Sequence, residues 1–349
     1  MGYYVLPDMY FLGSVRYSRV VRSFILKMKK KRYVGKHIAK SSGKKKAIVF
    51  SAVSFLTLLA VGMLSVAIVS AKAHSKDKVI PEPVATPDQV EIKTQQVQYF
   101  IDENQYKIDL DDLQSEIEKT IKQAKEITGG EWSVYVSIPS TGDSLSINQK
   151  KLQAASVIKM FVMGAVYEDF DALKKDYDGV DIDELIECMI IISDNESADT
   201  LVTMLGRGDS VKGRKIVTDY CKKYGFTNTN MDRMIIDDNV IKDNYTTTGD
   251  TAKFLEMLIN GELPHSKDML RHLKNQERKA KIPAGVPIGV TTANKTGELD
   301  DVQNDVAIIF TKEPYIICVM SEGVLDYQTP IDTIVDISKE TYDYLVTKM

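Results

Sequence analysis

The segment Ser156-Val-Ile-Lys-Met-Phe-Val-Met-Gly-Ala-Val-Tyr167 decides how the chain is organised. Apart from Ser156 and Lys159 it is apolar on every side, which predicts a helix that is buried all round. Lys159 lies one helical turn after Ser156, so we expect the hydroxyl and the amine on one face within hydrogen-bonding reach. Because burial disfavours the ammonium form, Lys159 can take the proton of Ser156 and make it a nucleophile. The alternative is a serine that caps the helix and a lysine that extends to water.

Two further polar triplets interrupt apolar sequence, Ser193–Asn195 (Ser-Asp-Asn) and Lys295–Gly297 (Lys-Thr-Gly). The first follows a dense apolar run, a position that suits a turn aimed into a cleft. There Ser193 can relay a proton and Asn195 can orient an amide. The second closes the strand-like segment Ile288–Asn294, where its side chains can line a groove for an anionic substrate. Taken singly, the two triplets are equally consistent with a helix cap and an ordinary strand end.

The three motifs occur in the order S-x-x-K, S-D-N and K-T-G, the set found in class A β-lactamases and penicillin-binding proteins. From about Gln98 to Met349 the chain resembles this family of serine hydrolases. The resemblance implies that Ser156 forms an acyl-enzyme and that Lys159 accepts its proton, directly or through Ser193. It implies an oxyanion hole formed by two backbone amides and a substrate-binding set that holds the side-chain amide and the carboxylate. These residues are Ser156 and Glu298 for the oxyanion hole, Asn195 for the amide, and Lys295 and Thr296 for the carboxylate, with Gly297 lining the same groove.

The order of the predicted elements indicates an α/β fold of the α+β sandwich kind. An antiparallel five-stranded sheet is expected between an N-terminal helix (108–127) and a C-terminal helix (331–345), with an all-helical lobe (156 to about 273) inserted. The predicted catalytic domain covers 99–349, and the resemblance implies an active site between the two lobes. The predicted strands are Trp132–Ile138, Ser144–Asn148, Ile288–Asn294, Val306–Phe310 and Tyr315–Ser321.

One departure from the family lies in the segment between Met231–Arg233 and Thr246–Thr248, which resemble the two ends of the family's Ω-loop. In class A β-lactamases a glutamate two residues after the loop arginine activates the water that hydrolyses the acyl-enzyme. Here that position is Ile235, which cannot act as a base. The nearest carboxylates, Asp237 and Asp238, lie further along on shorter side chains. Slow release of the acyl group is therefore expected.

A second departure concerns the substrate carboxylate. The family often carries an arginine on the strand after K-T-G, and by spacing this position falls near Asn304. No arginine occurs after Arg278. The expectation is that Lys295 and Thr296 bind the carboxylate without it.

The N-terminal part of the chain predicts a membrane anchor. Met1–Lys46 contains thirteen Lys or Arg and one acid, a net charge of +12, which leaves −16 for the rest of a chain whose total is −4. Ala47–Ala71 has no charged residue and is long enough to cross a bilayer as a helix. The basic residues at its start place the N-terminus in the cytoplasm and the catalytic domain outside the cell membrane. Residues 72–98 contain three prolines and are expected to form an extracytoplasmic linker. Cleavage after Val69–Ala71 is the alternative to an uncleaved anchor.

Cysteine and histidine usage argues against several kinds of catalytic site. The three cysteines and four histidines are scattered and lack metal-ligand spacing, which argues against a zinc hydrolase and a serine–histidine triad. We expect no metal ion, no cofactor and a monomer. The basic leader is expected to contact anionic lipid headgroups rather than nucleic acid.

Three functions stay open at this point. The first is a membrane-anchored serine hydrolase that forms an acyl-enzyme with β-lactams, with slow deacylation. The second is a D,D-peptidase or transpeptidase that acts on the stem peptide of peptidoglycan. The third is a sensor that is acylated once by a β-lactam and signals inward through the membrane helix.

Overall fold

The computed structural model describes residues 107–237 and 242–348. The predicted cytoplasmic segment, membrane helix and linker, which together cover 1–98, lie outside the described residues, and so does Asp238. Within the described ranges no helix is both long and apolar enough to span a bilayer.

The strands form one large sheet and one short pair. In chain order they are β1 (Glu131–Ile138), β2 (Asp143–Ile147), β3 (Leu152–Gln153), β4 (Tyr245–Thr246), β5 (Thr291–Leu299), β6 (Val302–Phe310) and β7 (Tyr315–Glu322). The large sheet has the order β2-β1-β7-β6-β5, and every neighbouring pair is antiparallel. β3 pairs with β4 beside it. The predicted antiparallel five-stranded sheet is confirmed.

Helices cover the sheet and build the inserted lobe. They are α1 (Asp111–Thr128), α2 (Ile158–Glu168), α3 (Phe170–Asp176), α4 (Ile182–Ile191), α5 (Asn195–Leu205), α6 (Ser210–Lys223), α7 (Thr248–Ile259), α8 (Ser266–Lys274) and α9 (Gln328–Lys348). Two 3₁₀ turns, Ala155–Val157 and Ile282–Gly285, precede α2 and β5. The predicted terminal helices correspond to α1 and α9, and the predicted helical block to α2–α8.

The central strands β6 and β7 are buried on both faces, so residues 306–309 and 315–320 are apolar without alternating with polar residues. On β6, Val306 and Ile308 face the core of the helical lobe, while Ala307 and Ile309 face α1 and α9. The sheet therefore separates two hydrophobic cores, and the helical lobe packs on one of them.

α2 lies inside the helical lobe, and the prediction of a helix buried on all sides is confirmed, because every residue from Ile158 to Tyr167 is buried. Ser156 itself precedes the α-helix and lies in the 3₁₀ turn. The buried helix thus holds Lys159 in the core and presents Ser156 at its start.

The strand around Lys-Thr-Gly differs from the sequence prediction. The triplet was expected to close a strand that ends at Asn294, but β5 begins at Thr291 and continues through the triplet to Leu299. β6 likewise begins at Val302, four residues before its predicted start. The polar residues in these segments were interpreted as the ends of strands. In the structure, buried Asn294 on β5 donates to Asp305 on β6 (3.1 Å), so the strands continue through polar residues.

Candidate active site

Ser156 is held in a constrained turn against the sheet. The preceding residue, Ala155, has φ 45°, a left-handed conformation that is uncommon for a residue with a side chain and is found at functional sites. A Cβ on Gly297 would lie 2.7 Å from the Ala154 carbonyl oxygen, so β5 approaches this turn closely. Asn304 Nδ2 on β6 donates to the same carbonyl, at 3.3 Å. These contacts fix Ser156, which is half-buried, at the edge of the sheet.

Lys159 is fully buried and points at the turn between α4 and α5. Its Nζ donates to the Ser193 backbone oxygen (2.7 Å), to Ser193 Oγ (3.2 Å) and to Asn195 Oδ1 (2.6 Å). The direct hydrogen bond to Ser156 expected from the sequence does not occur in the described part of the chain. Ser193 is therefore the hydroxyl in contact with the lysine in this structure.

Burial controls the protonation of Lys159. Loss of solvation lowers its pKa to about 7, while the negative charges of Asp194 and Asp199 oppose the shift and Arg278 adds to it. A lysine of this kind is part neutral at physiological pH and can accept a proton.

Ser193 lies between two lysines. It has φ 60° and follows α4. Lys295 Nζ on β5 donates to Ser193 Oγ (2.9 Å) and to the Thr296 carbonyl (2.8 Å). Lys295 is fully buried, and desolvation, reinforced by the charge of Lys159, holds its pKa well below the usual value. No carboxylate in the described ranges lies within 4 Å of either ammonium nitrogen, so the two lysines share one hydroxyl and no counter-ion.

The remaining members of the Ser-Asp-Asn triplet have different roles. The Asp194 carboxylate accepts hydrogen bonds from the backbone N–H and the hydroxyl of Ser197, both at 2.7 Å, and so caps α5. Asn195 is the first residue of α5 and is exposed apart from its bond to Lys159.

Two cations that sequence reasoning missed lie beside Lys-Thr-Gly. Lys281 is buried, and its Nζ lies 3.1 Å from the Asn304 carbonyl, 3.4 Å from the Gly297 carbonyl and 3.1 Å from Glu298 Oε1. Arg278 contacts the other oxygen of Glu298 at 3.3 Å. Both residues belong to the segment between α8 and β5, which carries no recognisable motif. Asn304, which by spacing occupies the position of the family's arginine, therefore has Lys281 from another segment beside it.

Asn304 itself is not available to a ligand. Its Nδ2 donates to the carbonyls of Gln153 (2.9 Å) and Ala154, and its Oδ1 accepts from the Ser321 amide (3.1 Å). Its amide therefore joins β6, β7 and the turn that carries Ser156.

The loop position of the family's base is apolar, as the sequence indicated. The Ile235 side chain is half-buried and packs on the core of the helical lobe. Its amide donates to Asp199 Oδ1 (2.7 Å), and its carbonyl accepts from Arg233 Nη1 (3.0 Å). Asp237, the nearer of the two carboxylates named from the sequence, is exposed.

Among the side chains of the described residues, no cluster of three or more His, Cys, Asp or Glu is suited to a metal ion. The chemistry that this site supports directly is proton transfer among Lys159, Ser193 and Lys295.

Solved structures with a similar fold include β-lactamases. A β-lactamase from Xanthomonas campestris pv. campestris is 19% identical, covers 66% of this chain and 98% of its own length, and has a TM-score of 0.59. A β-lactamase from Sphaerobacter thermophilus is 24% identical, with coverages of 68% and 98% and a TM-score of 0.58. A variant of the class A β-lactamase of the last common ancestor of Gram-negative bacteria is 20% identical, with coverages of 68% and 100% and a TM-score of 0.59. At these identities the similarity establishes a shared fold.

Sequence comparison identifies the family. No curated protein matches the chain. A family profile described as the β-lactamase enzyme family matches residues 112–179 and 173–345, which is more than half of the chain and includes all three motifs. The chain belongs to the β-lactamase enzyme family.

Proposed function

We propose that the protein is a membrane-anchored serine hydrolase that β-lactams acylate at Ser156 and that releases the acyl group slowly. The observation that carries the proposal is the Lys159–Ser193–Lys295 cluster beside the turn that presents Ser156. The anchor rests on the uncharged segment 47–71 and the basic residues before it.

Acylation requires a base for the Ser156 hydroxyl. In the proposed step the Ser156 oxygen bonds to the lactam carbonyl carbon, and its proton passes to neutral Lys159, directly or through Ser193. As the carbon–nitrogen bond breaks, the ring nitrogen receives a proton through the Ser193 hydroxyl. A pKa of about 7 for Lys159 supports this role, because the amine and ammonium forms are then both populated near neutral pH.

The charges around the cleft favour an anionic acyl donor. Lys295 on β5 is buried without a carboxylate partner in the described ranges, whereas Lys281 behind Gly297 is paired with Glu298. We assign the substrate carboxylate to Lys295 and Thr296. The backbone amides of Ser156 and Glu298 are the proposed oxyanion hole, and Asn195 the partner of the substrate amide.

Hydrolysis of the acyl-enzyme requires an activated water, and Ile235 supplies no base for it. Loss of a positioned general base costs about 10²–10⁴-fold in rate, so the acyl-enzyme is expected to accumulate.

A D,D-peptidase is the second candidate, and the position of β5 supports it. β5 is the edge strand of the sheet and runs past the Ser156 turn, so an extended peptide can pair with its outer side. Release of D-alanine from a pentapeptide by the full-length protein would support this activity. If a protein sample that penicillin acylates leaves the pentapeptide intact in a separate assay without penicillin, the activity is excluded.

Covalent labelling tests the proposal. We expect the full-length protein to become labelled by a fluorescent penicillin and Ser156→Ala to lose all label. Ser115→Ala, which removes an exposed hydroxyl on α1, is the matched control and keeps the label. Label that survives in Ser156→Ala would end the assignment of the nucleophile.

A further inference from the structure

We propose that Lys281 is a positioning residue for the oxyanion hole, whose ammonium polarises the peptide that joins Gly297 to Glu298. The carbonyl of this peptide faces Lys281, and its N–H is the Glu298 donor that the proposed function assigns to the oxyanion hole. The inference therefore rests on the proposed function and adds a residue on which its acylation step depends. Lys281 is buried and acts only through the backbone of β5.

The Lys281 ammonium lies against the backbone of two paired strands. Its Nζ donates to the Asn304 carbonyl on β6 at 3.1 Å and to the Gly297 carbonyl on β5 at 3.4 Å. Gly297 and Asn304 are opposite each other in the register of the two strands. The Lys281 side chain is only 2% exposed, so water does little to screen its charge from these carbonyls.

Carboxylates keep this buried amine in its charged form. Glu298 Oε1 lies 3.1 Å from Lys281 Nζ, and the other carboxylate oxygen of Glu298 contacts Arg278 at 3.3 Å. Burial lowers the pKa of Lys281 and Arg278 adds to that shift, whereas the charges of Glu298 and Asp305 oppose it. The two carboxylates therefore favour the ammonium, which is the form that polarises a carbonyl.

The conjugation of a peptide transmits the effect of a cation from its oxygen to its nitrogen. An ammonium at the Gly297 carbonyl draws electron density away from the Glu298 nitrogen and makes its N–H a stronger donor. Hydrogen bonds that share a group strengthen one another in this way, and a low dielectric increases the effect. The contact exists before any substrate binds, so it needs no reorganisation when negative charge develops on the carbonyl oxygen of the acyl donor. We therefore expect Lys281 to affect acylation rather than initial binding.

Two substitutions remove the charge from this contact. Lys281→Met keeps a long side chain without a donor, and Lys281→Gln keeps a shorter, neutral donor. Lys279→Met is the matched control, because Lys279 lies two residues away and its Nζ donates to side chains of β5, Thr292 (3.1 Å) and Asn294 (3.0 Å). All variants are compared as full-length proteins, with folding checked by circular dichroism. If Lys281→Met does not fold, Lys281→Gln provides the test.

The kinetics of acylation separate an effect on the reaction from an effect on binding. Loss of a whole oxyanion-hole donor costs about 10²–10³-fold, so we expect the weaker donor in Lys281→Met to lower the rate constant of acylation by penicillin about tenfold. The dissociation constant of the preceding non-covalent complex should not change. Lys281→Gln should lie between Lys281→Met and the wild type, and Lys279→Met should acylate normally. Unchanged rate constants in both Lys281 variants would overturn the proposal.

The infrared spectrum of the acyl-enzyme reports the strength of the oxyanion hole directly. Penicillin that carries ¹³C at the lactam carbonyl identifies the ester band, whose frequency rises when the hydrogen bonds to its oxygen weaken. We expect a higher frequency in Lys281→Met than in the wild type, an intermediate value in Lys281→Gln and the wild-type value in Lys279→Met. Slower acylation with an unmoved ester band would overturn the polarisation and leave Lys281 a structural residue.

A measurement without substrate separates failure of this inference from failure of the proposed function. Full-length protein with ¹³C at glycine carbonyls and ¹⁵N at glutamate gives carbonyl–amide correlation signals only from its Gly–Glu pairs, 130–131, 261–262 and 297–298. We expect Lys281→Met to move the carbonyl and amide-proton signals of the 297–298 pair upfield and to leave the other pairs in place. An unmoved 297–298 signal would overturn the inference. A wild type that penicillin never acylates would instead refute the proposed function, and the signals would still decide whether Lys281 polarises this peptide.

Discussion

Ile235 is the residue at which this chain departs most clearly from the chemistry of its family. Its amide, carbonyl and side chain are all engaged, by Asp199, Arg233 and the core of the helical lobe. The backbone at Ile235 is therefore held in a defined position, and its side chain supplies no base.

We predict that Ile235→Glu speeds release of the acyl group about tenfold or more, because it supplies a carboxylate to a loop whose backbone is already fixed. Steady-state hydrolysis of a chromogenic cephalosporin after the first turnover measures this. Ile235→Gln, which has the same shape without a base, should release as slowly as the wild type. Equal acceleration in both variants would show that cavity shape, and not proton transfer, limits release.

At this scale the sequence indicates only the residues that belong to motifs. Lys159 and Ser193 could be named because each belongs to a short motif with a fixed spacing. Lys281 and Arg278 could not, because their approach to Glu298 depends on how a segment without a motif crosses β5. Asp199 carried a usable signal, since it lies four residues after Asn195 on a predicted helix.

Among the elements, β5 and the turn before α2 approach each other closely at Gly297. Gly297 allows it, since a Cβ there would lie 2.7 Å from the Ala154 carbonyl and 3.1 Å from Val157 Cγ2. Because the Ala154 carbonyl belongs to the backbone, it cannot move away from a Cβ without displacing the turn that carries Ser156.

We predict that Gly297→Ala lowers the acylation rate about tenfold or more while the protein stays folded, because the turn moves away from β5. The rate of labelling by a fluorescent penicillin and the circular dichroism spectrum measure the two effects. Thr291→Ala, at the exposed start of β5, should acylate normally. Normal labelling of Gly297→Ala would mean that the spacing of these two elements does not matter.

The strand ends illustrate what the sequence could not give at the level of elements. A polar run at the end of an apolar one normally indicates that a strand has ended. In β5 and β6 the polar residues Asn294 and Asp305 are instead buried and hydrogen-bonded to each other. This contact depends on the pairing of the two strands, which the local sequence does not indicate. The strands therefore extend beyond the apolar pattern.

Across the whole molecule, two cores on opposite faces of one sheet explain why the architecture was predictable. Residues 306–309 of β6 and 315–320 of β7 place apolar side chains on both faces of the sheet, and the helical runs on either side are long. The membrane anchor, its topology and the monomeric state stay predictions from the sequence.

A buried pair inside the helical lobe gives a prediction for the stability of the whole. Tyr167 Oη and His272 Nε2 lie 2.9 Å apart and join α2 to α8. Burial lowers the pKa of His272 from 6.5 to about 4. Between these values the unfolded chain binds a proton that the folded chain does not, so the free energy of unfolding falls as the pH falls, by at most about 3 kcal/mol.

We predict that the stability of the wild type relative to His272→Gln decreases between pH 7 and pH 4.5, measured by urea unfolding. Comparing the two proteins is necessary because buried Asp305, whose pKa burial raises to about 6, contributes a slope of opposite sign in both. A stability difference that stays constant over this range would contradict a neutral, buried His272.

The most direct test of the central claim is the stopped-flow time course of the full-length protein with a chromogenic cephalosporin. The account predicts a rapid burst of about one product equivalent per Ser156, absent in Ser156→Ala, followed by turnover at least about 100-fold slower. Rapid linear turnover without a burst would contradict the missing base, and no reaction at all would contradict the nucleophile.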